Sequence, residues 1–474
     1  MTRHLLSLGA AILIGVALRF VVGLDPVWWV AWFAPGLLLG LSLATERFWA
    51  RQGLVALAVA IGMTANYTYF RSVMPLPAVI FSLTGMTLLW MLILGMSRRI
   101  IVTYRAGWTV LALPVLYVAL DTALAHFTPD GNFASLGYTQ SDVLPIAQLA
   151  SVAGVGGLLF VLMLLNSALA LALHFRLGIP GARAAYVGAV TVFVATAAFG
   201  WWRLQTPVSG HDVKFGLAAI DSIPNPEPGV AAKIWDQYDA QVLALAGSGA
   251  KIVVLPEKIN VLSSNDADLR QARLRDLASN NKVWLVAGLG VDDGKERRNE
   301  AWWYAPDGRL ATNYLKHHMA PPEREFVAGH EYPTNDIDGV RYGVAICKDM
   351  HFADLGRGFA ERGAAVMLVP AWDFYRDRFM AMNMTKLRGI ESGFTVVRSS
   401  RDGLLTVSDP YGRLLAAEES AGLPGTALLS TVKVGAHVPT IYARIGDALG
   451  WICLALAPLL MAASFIRPRK SGHS

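Results

Sequence analysis

The stretch Gly343-Val344-Ala345-Ile346-Cys347-Lys348-Asp349 decides how the chain is read. Its apolar, β-branched run predicts a strand that delivers a cysteine to its end, with charged residues directly after it. The 474 residues include only two cysteines, and the other, Cys453, lies in a hydrophobic C-terminal segment. That is no disulfide framework. A strand-end thiol without a partner is either a small buried hydrophobe or a nucleophile. The rest of the chain bears on that choice.

Outward from this stretch the composition divides sharply. Hydrophobic residues make up 54% and charged residues 16%, with a mean hydropathy of +0.42, too apolar for a wholly soluble chain. The apolarity lies before Trp202 and after Ile445. Seven stretches, 5–23, 27–44, 54–70, 78–96, 108–126, 145–174 and 184–202, approach the length of about 20 residues that crosses a bilayer, and 446–466 is an eighth. Arg19 and the six later stretches argue against a cleaved leader at the first. The expected organisation is a seven-span bundle over 1–202, a soluble domain over 203–440, and a final span with a basic tail over 441–474.

Arginine placement predicts orientation. Arg3, Arg47 and Arg51, Arg98, Arg99 and Arg105, Arg176 and Arg183, and the tail Arg467, Arg469, Lys470 fall at every second boundary. The positive-inside rule then puts both termini in the cytoplasm and the soluble domain outside it, in an inner (plasma) membrane. The net charge of +6 sits largely in these loops, which gives no case for nucleic acid. Within the bundle, Asp121 reads either as functional or as reaching interfacial water.

Between residues 203 and 440 the period changes. Strands are expected at 213–219, 251–255, 283–291, 301–304, 310–315, 366–369, 395–399, 404–408 and 414–416, with helices at 230–245, 267–280, 355–362 and 376–392. This alternation predicts a layered α/β domain. Three strand ends carry chemistry. Val253-Val254-Leu255-Pro256-Glu257 ends in a carboxylate, Tyr314-Leu315-Lys316 in an ammonium, and the opening stretch in a thiol. A nucleophilic thiol needs a base and a fixed donor for an oxyanion, roles open to Glu and Lys. Taken singly, Glu257 and Lys316 are also what solvated strand ends look like, and spacing does not show that the three meet.

Leu255-Pro256-Glu257, Lys316 and Ile346-Cys347 stand in the order of the Glu-Lys-Cys triad of the nitrilase (carbon–nitrogen hydrolase) superfamily, which this region resembles. The segment Glu323-Arg324-Glu325-Phe326-Val327-Ala328-Gly329 is similar to the stretch that holds that family's supporting Glu, with Glu323 favoured and Glu325 next. The resemblance implies a four-layer α-β-β-α sandwich with no metal and no organic cofactor. The bundle, the exported domain and the last span together resemble the apolipoprotein N-acyltransferase family. Carrying that likeness are Leu136-Gly137-Tyr138-Thr139-Gln140, Lys233-Ile234-Trp235-Asp236, the run from Met384 to Gly393, and Val397-Arg398-Ser399-Ser400. It implies a membrane phospholipid as acyl donor, a diacylglyceryl lipoprotein as acceptor, and substrate contacts from Trp235, Tyr138 and Arg398. Trp372 is expected to cover the site, to touch lipid, or simply to pack.

Lys348-Asp349 replaces that family's usual Tyr-Glu, and Pro321-Pro322-Glu323-Arg324-Glu325 looks more like a soluble amidase. These departures put acceptor choice at Lys348-Asp349 and keep a membrane-anchored amidase, or another amine acceptor, as alternatives.

Overall fold

The computed structural model describes residues 2–133 and 135–466. The chain divides into two compact units, Met1–Arg203 with Asp447–Ser474, and Leu204–Gly446. Ala134 and the basic tail residues Arg467, Arg469 and Lys470 lie outside the described residues.

The first unit is helical. Among the described residues, six of its helical segments are long and apolar enough to cross a membrane: His4–Val22, Phe48–Val73, Leu76–Tyr104, Gly107–Phe127, Ala150–Phe175 and Ala182–Leu204. The second and eighth expected spans are helical but shorter, Val30–Ala44 and Ala448–Ala463. At 1.5 Å per residue neither reaches the bilayer's hydrocarbon thickness of about 30 Å. Pro35 at the start of Ala34–Ala44, after a separate 3-10 turn at Val30–Trp32, explains the first shortening. The sixth stretch is also broken: a short helix, Leu144–Ala147, precedes Ala150–Phe175, whose Gly154 is non-helical.

Several buried polar groups in this unit bond to residues distant along the chain. Asn166 is fully buried and donates from Nδ2 to the Ala31 carbonyl (2.9 Å) and the Leu162 carbonyl (2.8 Å). Its Oδ1 accepts from the Gly36 amide at 2.6 Å. Gly36 permits that approach, because a Cβ there would lie 2.5 Å from the Asn166 carbonyl oxygen. Asp121 is buried and accepts from Asn132 Nδ2 at 2.9 Å. Tyr138 donates to Asn132 Oδ1 at 3.0 Å. Tyr138 is thus buried and bonded within the bundle's own polar network.

The second unit holds thirteen strands: β1 (His211–Ala219), β2 (Ile252–Val254), β3 (Val261–Leu262), β4 (Trp284–Asp292), β5 (Arg297–Tyr304), β6 (Leu310–Leu315), β7 (Thr334–Ile337), β8 (Val340–Val344), β9 (Val366–Trp372), β10 (Thr395–Arg401), β11 (Leu404–Ser408), β12 (Leu414–Glu419) and β13 (Thr426–Val434). One sheet runs β13-β1-β2-β4-β5-β6, with β3 on β4, and the other β12-β11-β10-β9-β8-β7. Strand alternation builds the layers. On β2, Ile252 and Val254 join Val366 and Leu368 of the other sheet in a shared core. Val253 and Leu255 face outward onto Trp235, Tyr238 and Leu274 of helices Pro228–Gly247 and Ser264–Asn281. Helices Ala353–Glu361 and Arg378–Ser392 belong to the second sheet's side. The result is the four-layer α-β-β-α sandwich. β13 pairs antiparallel along all of β1 and was not foreseen, since its buried and exposed residues alternate without a β-branched run to mark it.

Candidate active site

Parallel pairing of β1, β2 and β4, and of β8, β9 and β10, sends several strand ends the same way in each sheet. Glu257 leaves β2 after Pro256, and its amide donates to the Ala371 carbonyl on β9 at 3.2 Å, a bond between the two sheets. Gly288 on β4 makes room for that chain, because a Cβ there would meet Glu257 Cα at 2.6 Å. Lys316 follows β6, and Glu323 closes a single 3-10 turn, Pro321–Glu323.

These buried groups form one network. Lys316 Nζ donates to Glu257 Oε1 at 2.7 Å and to Glu323 Oε2 at 2.8 Å. Asn299, fully buried on β5, donates from Nδ2 to Glu257 Oε1 (2.6 Å) and Glu323 Oε1 (2.8 Å). Burial alone would lower the Lys316 pKa, but Glu257 and Glu323 hold it well above the usual lysine value. Burial likewise opposes ionisation of Glu323, yet Lys316 and Lys258 pull its pKa down to about 2. Both groups are therefore charged at neutral pH. Asn299 escaped the sequence reading because β5 opens on Arg297-Arg298-Asn299-Glu300, a polar run that hid the first half of the strand.

Cys347 begins the 3-10 turn Cys347–His351, with φ +45°. A left-handed non-glycine residue is strained and is found where surrounding structure enforces it, often at reactive sites. Its half-buried thiol donates to the Trp372 carbonyl at 3.3 Å. Burial and the Glu257 carboxylate push the thiol pKa far up, against the pull of Lys316. Cys347 thus rests as a neutral thiol within the electrostatic reach of Glu257 and Lys316.

Asp349 fixes this turn. It is 0% exposed and accepts from Tyr314 Oη (2.7 Å) and the Ile346 amide (3.0 Å) on one oxygen, and from the His317 (3.1 Å) and His318 (2.8 Å) amides on the other. Burial would raise its pKa, but His318, Lys316 and the Ile346 amide hold it below the usual carboxylate value. A carboxylate so enclosed locks the Cys347 turn to the end of β6. Lys348 is buried as well and donates to the Met319 carbonyl at 3.0 Å.

Three other residues singled out by the sequence lie in different surroundings. Glu325 is 76% exposed and faces Arg297 at 3.6 Å, because two residues past Glu323 the 3-10 turn has carried its side chain outward. Trp235 is buried between helix and sheet under Arg270, 4.6 Å from its ring, so its indole is a core residue. Arg398 is buried against the Asp373 carboxylate, which occupies its guanidinium and ties β10 to the end of β9. Trp372, by contrast, is at the site. Beyond its carbonyl on Cys347, its indole donates to Asp402 Oδ2 at 2.8 Å and lies 3.9 Å from the Arg401 guanidinium.

The carbon–nitrogen hydrolase family matches residues 218–421, the span of the two-sheet sandwich. The apolipoprotein N-acyltransferase N-terminal domain matches residues 14–168. The chain is 25% identical to apolipoprotein N-acyltransferase of Geobacter metallireducens over 77% of this chain and 75% of that one. It is also 25% identical to apolipoprotein N-acyltransferase of Bradyrhizobium diazoefficiens, over 75% and 74%. The omega-amidase of Homo sapiens is 25% identical over only 43% of this chain and 86% of its own. The chain thus joins an N-terminal domain of the apolipoprotein N-acyltransferase type to a domain of the nitrilase superfamily.

Proposed function

We propose that this protein is a phospholipid-dependent N-acyltransferase that moves a fatty acyl chain through a Cys347 thioester to the α-amine of a lipoprotein's diacylglyceryl-cysteine. The observation that carries the chemistry is the Glu257–Lys316–Glu323 network next to a neutral thiol. Glu257 takes the Cys347 proton as sulfur attacks the ester carbonyl of the donor, and Lys316 stabilises the oxyanion. Lysophospholipid leaves with a proton returned by Glu257, so ester becomes thioester. Glu257 next takes a proton from the acceptor amine, which attacks the thioester and leaves as an amide, restoring the thiol. Ester, thioester and amide follow one another without an external energy source.

The lipid substrates are supported by chain order. Apolar helices precede and follow the domain, Ala182–Leu204 and Ala448–Ala463, which tether it to a membrane in a way an enzyme acting on small soluble amides does not need. We place the protein in the inner membrane with the domain extracytoplasmic and both termini cytoplasmic, on the arginine pattern. The amidase reading is supported by the likeness of Pro321–Glu325 to soluble amidases and by Lys348-Asp349 in place of the usual Tyr-Glu.

Incubation of the purified protein with phospholipid labelled in the acyl chain separates the two. The expected result is a hydroxylamine-sensitive label on the wild type that is absent from Cys347→Ser. Amide hydrolysis under conditions that leave the protein unlabelled would overturn acyl transfer.

A further inference from the structure

A second lysine stands in the network. Lys258 follows Glu257 directly, with φ +45°, the left-handed conformation that L-residues avoid. Its side chain is buried. Its ammonium forms an ion pair with Glu323 Oε1 and lies 5.0 Å from the Trp372 ring and 5.5 Å from the Phe326 ring. Trp372 is the residue whose carbonyl accepts from Cys347. Glu323 therefore carries two ammoniums, Lys316 on Oε2 at 2.8 Å and Lys258 on Oε1.

The charges around the thiol can be counted. Glu257 and Glu323 are negative, and Lys316 and Lys258 positive. Asp373 and Arg398, which also act on Cys347, pair with each other, and the buried charges of Asp349 and Arg401 lie outside this foursome. The foursome is neutral at rest. It stays neutral in the tetrahedral state, where the proton has moved to Glu257, the S–C bond has formed and the carbonyl π pair has moved to oxygen. Without Lys258 the same cluster carries −1 throughout. Glu323 then competes with the oxyanion for the one remaining ammonium, in a pocket where unpaired charge is strongly disfavoured.

We propose that Lys258 is a positioning residue for acylation: by neutralising Glu323 it leaves the Lys316 ammonium to Glu257 and the developing oxyanion. This rests on the acyl-transfer reading of the site, and the experiment keeps the two apart. Alkylation of Cys347 by iodoacetamide, followed against pH on the full chain in detergent, needs no substrate. Lys258→Met is expected to move that profile alkaline by about one unit. Single-turnover acylation by a labelled phospholipid is expected to slow about 10-fold to 100-fold, with an unchanged half-saturating concentration. Lys258→Arg, which keeps the charge, is expected to retain most of both properties. Lys258→Met combined with Glu323→Gln restores neutrality and is expected to return the alkylation profile toward wild type. An unchanged profile in folded Lys258→Met, or a double variant shifted further than the single one, overturns the proposal, and so does equal impairment in Lys258→Arg. If wild type is not acylated by phospholipid but Lys258→Met still shifts the profile, the lipid-donor reading falls and the electrostatic role of Lys258 stands.

Discussion

The bundle and the sandwich handle buried polar groups in opposite ways. In the bundle a neutral amide such as Asn166 is satisfied by uncharged groups, those of Gly36, Ala31 and Leu162. In the sandwich full charges from three segments, on Glu257, Lys316 and Glu323, converge on one another and on the amide of Asn299. The first arrangement holds helices together, while the second holds charge ready to move. A low-dielectric interior penalises any of these charges alone, so the network survives only because every member has a partner.

Removing reactive groups should separate the two regions most widely. Cys347→Ala is expected to abolish acyl transfer, by about 10⁴-fold or more, while the protein still inserts and melts at the wild-type temperature. Residual turnover at wild-type rate would dismiss the nucleophile.

Asn299→Ala should strike stability and chemistry together, because two carboxylates lose a donor in a buried site. A loss of about 2–3 kcal/mol is expected from hydrogen bonds to charged groups, read by denaturant unfolding of the purified protein. A neutral outcome would mean that Lys316 alone holds Glu257 and Glu323.

Acid should distinguish the regions too. Glu323 has a folded pKa of about 2 against an ordinary 4.5, so its stabilisation is fully present above 4.5 and is lost as pH falls toward 2. Tryptophan fluorescence against pH should show this loss in the wild type and a shallower slope in Glu323→Gln. Equal slopes would assign the acid sensitivity elsewhere.

The smallest effect belongs to the bundle. Asn166→Ala is expected to destabilise by about 1 kcal/mol, the usual scale for an interhelical hydrogen bond in membrane proteins, with acylation rate unchanged. A drop in rate without a drop in stability would break the division drawn between the regions.

Hydropathy alone located all eight apolar segments, because a bilayer demands length and composition, which are local properties. It overestimated the second and eighth, since helix ends depend on breaks such as Pro35 rather than on apolarity. The strand-end positions of Glu257, Lys316 and Cys347 were equally legible, as each ends a β-branched or aromatic run. Other features were decided by tertiary structure. Residues 42, 24 and 7 positions apart meet in single hydrogen bonds, at Asn299–Glu257, Asn299–Glu323 and Lys316–Glu323. No local pattern distinguishes Glu323, pointing in, from Glu325, pointing out, or marks Asp349 as a buried clamp rather than a surface charge. Periodicity is written in neighbours along the chain. Desolvation, pairing and the balance of charge around the thiol exist only once distant segments share one interior.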